Sequence, residues 1–280
     1  MDDAARLVAC VGTARIAVLT GAGVSTDSGI PDYRSPTALA RPRRPIQGPE
    51  FVRSEALRRR YWARSMVGWE RFRDAKPGPS HAALAALERD GALVGLVTQN
   101  VDRLHRAAGS RDVVELHGAL AEVICLDCGV RESRDEVQAR MRTENPDWID
   151  GAAPLAPDGD ADLDDAALAG FRMPSCPACR GVLKPDVVFF GHNVDKRIVD
   201  RAYAIVDAAD ALLVAGTSLA VFSGYRFLVR AADRGIPVAI VNRGPVRGED
   251  RASLKIEAPT GETLAAFVRT LAARRGGSAS

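Results

Sequence analysis

Two cysteine pairs constrain this chain more than any other feature. Cys125 and Cys128 form one C-x-x-C (CLDC) and Cys176 and Cys179 form another (CPAC), with 47 residues between the pairs. Each pair can set two thiolates on one side of a metal, and two pairs complete the tetrahedron that Zn²⁺ prefers. Four thiolates leave no open coordination position, so the expected metal is one structural zinc per chain. The fifth cysteine, Cys10, reads as a small buried hydrophobe. An odd count with four thiols in metal spacing argues against a disulfide framework and for a reducing compartment, the cytoplasm.

Around the cysteine module the chain alternates short β-branched runs with helical patterns. RIAVLT (15–20), LVGLVTQN (93–100), DVVELHG (112–118), DVVFFG (186–191), ALLVAGTSL (211–219), PVAIVNRG (237–244) and LKIEAP (254–259) read as strands. Residues 79–91, 195–210, 224–235 and 260–275 read as helices. This order predicts an α/β fold, a Rossmann-like, doubly wound and mostly parallel sheet with a smaller inserted zinc-binding and helical domain. The expected boundaries are 1–35, 79–118 and 186–280 for the Rossmann-like domain, and 36–78 with 119–185 for the small one. Residues 36–78, rich in Arg, Pro and aromatics, read as a loop plus helices outside the sheet. The acidic, Pro- and Gly-rich stretch inside 119–185 reads as a surface insertion.

Hydrophobic residues make up 46% of the 280, enough for a sizeable core. A net charge of +2 gives no argument for nucleic acid as a partner. No apolar run reaches the roughly 18 residues of a membrane span. The acidic start, MDDAAR, is a poor secretory signal.

Several residues carry chemistry by type and place. Gly21 and Gly23 follow the first strand, where glycines permit a tight turn and close approach to a pyrophosphate. Thr26 stands where a G-x-G-x-x-G fingerprint has its third glycine, so the loop alone is equally well a plain turn. Gln99, Asn100 and Asp102 lie just past a strand's carboxyl end, where ligands collect in open α/β sheets. Asn242 ends another strand and reads either as a ribose contact or as a turn residue. His117 takes the corresponding place in ELHG, where a neutral imidazole can accept a proton near pH 7. His81, His105 and His192 read as helix-start, helix-surface and loop residues.

The set GAGVSTDSGIPDYRS, TQNVDRLH, ELHG, CxxC…CxxC, LKPDVVFFG, GTSL and VNRG, in that order over about residues 15–260, resembles the sirtuins, NAD-dependent protein deacylases. YWARSMVGW, RRPIQGPEFVRS and LAPDGD resemble the class II, sirtuin-four-type branch in particular. The resemblance implies NAD as cosubstrate and assigns its contacts to Ala22, Gly23, Thr26, Ile30, Asp32, Tyr33, Arg34, Gln99, Asn100, Val101 and Asp102. Tyr33 stands where many sirtuins have Phe. On the adenosine side it assigns Gly216, Thr217, Ser218, Asn242, Arg243 and Gly244. It makes His117 the general base, with Asn100 and Asp102 beside it, and Val188 and Phe189 the edge that pairs with an extended acylated-lysine peptide. Tyr61 and Arg64, in Y-x-x-R spacing, resemble sirtuins that remove acidic acyl groups, with a solvated basic helix face as the alternative. A mono-ADP-ribosyltransferase using the same pocket, or a non-catalytic NAD or zinc interaction module, are the competing functions.

Overall fold

The computed structural model describes residues 2–12, 14–33, 46–146, 148, 168 and 170–277. Arg34, the loop 36–45, LAPDGD and most of the acidic insertion lie outside the described residues.

A first helix, α1 (Asp3–Val11), leads into β1 (Ile16–Thr20). Two single 3-10 turns, Ala22–Val24 and Thr26–Ser28, follow at once. Then come α2 (Gly48–Arg53), α3 (Glu55–Arg73) and α4 (Pro79–Arg89). Strand β2 (Leu93–Thr98), the single-turn α5 (Leu104–Ala107) and β3 (Val113–Glu115) complete the first half. Next are β4 (Gly118–Cys125), β5 (Arg131–Ser133), α6 (Arg134–Glu144) and β6 (Leu183–Val187). The chain ends with α7 (Lys196–Ala208), β7 (Ala211–Ala215), α8 (Phe222–Asp233), β8 (Val238–Val241), β9 (Leu254–Ile256) and α9 (Thr260–Gly277).

Six strands form one parallel sheet in the order β3-β2-β1-β7-β8-β9. Strands to the left of β1 come from the first half of the chain and those to its right from the second, so the direction of winding reverses beside β1. Every residue of β1 is buried. Ile16 and Val18 pack with Leu7, Val11, Leu84 and Phe267 of α1, α4 and α9. Ala17 and Leu19 pack on the other face with Ile205 and Phe227 of α7 and α8. Helices on both faces explain why the strand is apolar without alternation.

The second sheet is small and antiparallel, in the order β5-β4-β6. The strand expected over 186–191 is found here, ending at Val187, and not in the parallel sheet. Beyond Val187 the chain is held by other partners: the Val188 amide donates to the His117 carbonyl at 2.9 Å, and Phe190 bridges to Gln47. A third core, with Tyr61, Trp62 and Met66 of α3 and Val137 and Met141 of α6, backs this sheet. Arg134 is buried within it, its guanidinium 5.5 Å and 5.1 Å from the Trp62 and Trp69 rings and bonded to Gln138 and Ser65. A buried charge needs such compensation. Among the described residues, no helix is long and apolar enough to cross a membrane.

Candidate active site and metal centre

Register places the candidate residues along one edge. Glu115, Thr98, Thr20, Ala215 and Val241 pair in a row across the parallel sheet. One or two residues further on stand His117, Gln99 and Asn100, Gly21, Gly216 and Asn242. They line the carboxyl ends of the strands at the point where winding reverses, the usual ligand crevice of such sheets.

Here the ends of β1 and β7 touch through glycine. A Cβ on Gly23 would lie 2.8 Å from the Gly216 Cα, and one on Gly216 would lie 2.5 Å from the Val24 amide nitrogen. Gly216 also has φ of +60°. Side chains at these positions would collide with the facing loop, so the glycines let the two strand-end loops meet backbone to backbone. Thr26 caps the loop with its hydroxyl on the Gly23 carbonyl at 3.1 Å, and Ala22 is half-buried beside it. Thr217 Oγ1 accepts from Gln99 Nε2 at 3.0 Å, while Ser218 is half-buried one residue on. Asn242 donates to the carbonyls of Arg243 and Gly244, holding a turn in which Gly244 has φ of +81°.

Behind the crevice lies a polar network whose protons can be assigned. The Gly78 amide donates to His81 Nδ1 at 3.1 Å, so His81 carries its proton on Nε2, which faces Ser25 Oγ at 3.4 Å. Ser25 donates to Asp102 Oδ2 at 2.7 Å and accepts from Asn100 Nδ2 at 3.0 Å. Asn100 also donates to the Gly21 carbonyl, and Asp102 Oδ1 accepts from the Leu104 amide. The network thus fixes Asn100 and Asp102 from behind. Ser25 and His81 were not singled out as site residues from sequence, although Ser25 sits in the glycine motif. His81 is at its helix start, as expected. His105 is a correction: it is 1% exposed, not a helix-surface residue. Its ring packs on His81 at 4.7 Å and Nε2 lies 2.9 Å from Thr20 Oγ1. Burial holds the pKa of both rings below the ordinary value. His192 is exposed in a loop.

His117 Nδ1 lies 2.8 Å from the Gln99 carbonyl, which can only accept, so Nδ1 carries the proton and Nε2 keeps its lone pair. Nε2 lies 2.9 Å from Ser223 Oγ. Burial lowers the His117 pKa, opposed by the Gln99 hydrogen bond. The ring is therefore neutral near pH 7, the form a general base needs.

Ile30 is buried with Trp69, Phe72 and Leu120, and Val101 packs against that cluster. Asp32 is half-buried and Tyr33 is 48% exposed. Next to His117, the chain from Val188 carries Phe189, whose ring is 5.7 Å from that of Tyr61. Tyr61 is buried in an aromatic cluster with Phe51 and Trp62, and Arg64 is half-buried one turn along α3. Backbone pairing at His117 and Val188 followed by the Phe189–Tyr61 ring contact therefore leads from the residue bearing the imidazole to the first member of the Y-x-x-R pair. Lys184, also not anticipated, is buried with its ammonium 4.9 Å from the Phe189 ring centroid; burial pulls its pKa to about 8.

The four thiols converge. Their sulfurs all lie within 4.8 Å of one another, with Cys125 and Cys179 3.5 Å apart and Cys128 and Cys176 3.7 Å apart. Tetrahedral zinc with bonds of about 2.3 Å requires sulfurs about 3.8 Å apart, so the four cysteines are positioned to bind one zinc ion. Cys125 ends β4 and Gly118 begins it. Because β4 bulges, the span is read on its partner: Val187 and Leu183, opposite Gly118 and Cys125, are four residues apart, so at about 3.3 Å per residue the metal site is on the order of 13 Å or more from His117, too far to touch reacting atoms.

A sequence model described as the Sir2 family matches residues 21–223. The "NAD-dependent protein deacetylase" of Xanthomonas campestris pv. campestris (strain 8004) is 53% identical over 251 residues, covering 90% of this chain and 86% of that protein. The human "NAD-dependent protein lipoamidase sirtuin-4, mitochondrial" is 51% identical over 253 residues, covering 89% and 81%. Among solved structures, a Sir2 complex with a p53 peptide and NAD+ superposes with a TM-score of 0.74 at 28% identity, covering 97% of this chain and 98% of that one. With the parallel sheet, the small antiparallel sheet and the four-cysteine cluster in their sirtuin arrangement, this chain belongs to the Sir2 family, the sirtuins.

Proposed function

We infer that this chain is an NAD-dependent protein-lysine deacylase of the class II, sirtuin-four-type branch, acting on acylated-lysine proteins bound as extended peptides. The observation that carries the activity is the neutral His117 imidazole at the strand ends that also carry Asn100 and Asp102, with Nδ1 fixed on the Gln99 carbonyl and the lone pair left on Nε2. The crevice has the chemistry NAD requires: side-chain-free backbone for a pyrophosphate, and polar groups at strand ends for two riboses.

NAD, when bound, supplies a ribose carbon that takes the acyl oxygen as nicotinamide leaves, so that with one water the products are free lysine, nicotinamide and 2′-O-acyl-ADP-ribose. Ala22, Gly23 and Thr26 would hold the pyrophosphate; Ile30, Asp32, Tyr33 and Arg34 would close the nicotinamide end. Gln99, Asn100, Val101 and Asp102 would line its ribose. Gly216, Thr217, Ser218, Asn242, Arg243 and Gly244 would hold the adenosine side. His117 Nε2 takes the ribose hydroxyl proton, which frees that oxygen to attack the acyl carbon. Val188 and Phe189 receive the peptide. The NAD-binding unit is taken as 1–35, 79–118 and 186–280, and the zinc and helical unit as 36–78 and 119–185. In the cytoplasm zinc would stay bound to reduced thiols.

Phe189 follows Val188, whose amide is held by the His117 carbonyl, and its ring meets that of Tyr61; this favours an acyl pocket ending at Tyr61 and Arg64, where a guanidinium can take a carboxylate in a bidentate pair. One experiment tests the whole reading. Acetyl-, lipoyl- and glutaryl-lysine peptides are incubated with NAD and followed by mass spectrometry. The acyl mass is expected to be lost, by about 10²–10⁴-fold more slowly in His117→Ala. Arg64→Met should weaken only the glutaryl reaction. A gain of ADP-ribose mass on the peptide, with the acyl group kept, would establish the transferase instead. Equal losses on all three peptides would reduce Arg64 to a structural role.

A further inference from the structure

The reaction above uses one nitrogen of His117 and leaves the group facing it unexplained. We propose that Ser223 is a positioning residue for His117: its hydroxyl donates to Nε2 of the neutral ring and accepts from Nε2–H once the ring has taken the ribose proton. The proposal rests on His117 being the base.

Two separate observations carry it. First, Ser223 Oγ is 2.9 Å from Nε2, although Ser223 is only the second residue of α8, where serine hydroxyls commonly serve the helix end. The N-cap here is Val221, without a side-chain cap bond. Second, the next residue is Gly224, and a Cβ there would lie 2.4 Å from Gln99 Oε1. The first turn of α8 is thus pressed against the residue whose carbonyl holds Nδ1. The Gln99 amide is itself tied to the Thr20 carbonyl and Thr217 Oγ1. The imidazole sits in a bracket with one arm on each nitrogen, and the arms touch each other.

A hydroxyl suits the Nε2 arm because it both donates and accepts, by rotation about one bond. The ribose hydroxyl needs the same lone pair, so Ser223 yields it when the ligand binds. The proton then passes from the ribose oxygen to Nε2. As that oxygen becomes acylated it ceases to be a strong acceptor, and Ser223 Oγ is in place to take the new N–H. Ser223 keeps its own proton and forms no covalent bond. A hydrogen bond from a charged donor is about twice as strong as a neutral one, so the contact strengthens as the base is protonated, which favours the step over the resting state.

The test has a readout without NAD and one with it. In ligand-free protein carrying ¹⁵N-histidine, the His117 nitrogens are compared between wild type and Ser223→Ala. The Nε2 resonance should move toward that of an unbonded acceptor while Nδ1 stays protonated. In turnover with an acylated peptide, exchange of labelled nicotinamide into NAD reports the step before the base acts, and 2′-O-acyl-ADP-ribose reports the step after. Ser223→Ala should lose about 10- to 100-fold in acyl transfer, the value of one hydrogen bond to a charged group, with exchange and the KM for NAD retained. Ser223→Thr should restore transfer. An unmoved Nε2 resonance, or exchange and transfer falling together, would overturn the proposal. His117→Ala run alongside separates the two readings. Transfer surviving there refutes the base, whereas its loss there with Ser223→Ala at the wild-type rate refutes the serine alone.

Discussion

Gly118 follows the base directly and offers a sharp perturbation. Its φ is +78°, and a Cβ on it would lie 2.1 Å from the Asp186 carbonyl oxygen and 3.1 Å from the Val187 Cα. Both neighbours are backbone of β6, which pairs with β4 through Gly118 and Val187. In Gly118→Ala the left-handed conformation costs about 1–2 kcal/mol. The strands must also part by about 1 Å to relieve the contact, and loss of one backbone bond, of which Val188 to His117 is the nearest, adds about 1 kcal/mol. The total is roughly 2–3 kcal/mol, or a melting temperature about 5–10 °C lower for a chain of this size. Gly91→Ala is the control, because Gly91 has φ of +70° with nothing within 4 Å of a Cβ. It should show the conformational cost alone and full activity. Displacing a catalytic group by about 1 Å costs about 10²-fold, so Gly118→Ala should also lose most acyl transfer. Calorimetry and the peptide assay on both variants decide. A Gly118→Ala protein with the stability of Gly91→Ala and wild-type turnover would refute the argument that this glycine sets the position of His117.

Elemental analysis should find one zinc per chain. Cys125→Ser and Cys176→Ser, which remove the two buried thiols, should lose the metal and lower the melting temperature; zinc-free protein of undiminished stability would contradict the site. Acid should weaken the fold before carboxylates titrate. His81, His105 and His117 all have pKa values lowered by burial. The folded state binds these protons less tightly than the unfolded one, so their contribution is complete above about pH 6.5 and is lost as the pH falls below it. Denaturant midpoints should therefore drop between pH 7 and 5.5, less steeply in His105→Gln. A flat wild-type profile over that range would show that the buried rings are protonated without cost.

Much of the crevice was legible because its residues sit at strand ends, and strand ends are marked by local signals: an apolar run, then Gly21, Gln99, Gly216 or Asn242. The thiols were legible because C-x-x-C spacing is itself geometric. Where tertiary packing decided, the sequence was silent or misleading. His105 lies on a single-turn helix, and only the meeting of α4 with β1 makes it interior. The run after Asp186 is apolar through Phe190, so it suggests a strand to 191, yet pairing with β4 ends at Val187 because the chain there turns to His117 and Gln47. Ser223 reaches His117 across 106 residues of sequence, and no local pattern encodes such a contact.

The backbone at the base belongs to both sheets. Leu116 donates to Thr98 of the parallel sheet, and the His117 carbonyl accepts from Val188, one residue past the small sheet. Two of the segments that join the sheets therefore meet at this residue. Atoms on a turning body move in proportion to their distance from the axis. A tilt of the small sheet about this line would carry its far end, with the four thiols, through a wide arc and leave the imidazole almost still. The proton acceptor therefore stands where any tilt between the two sheets displaces it least.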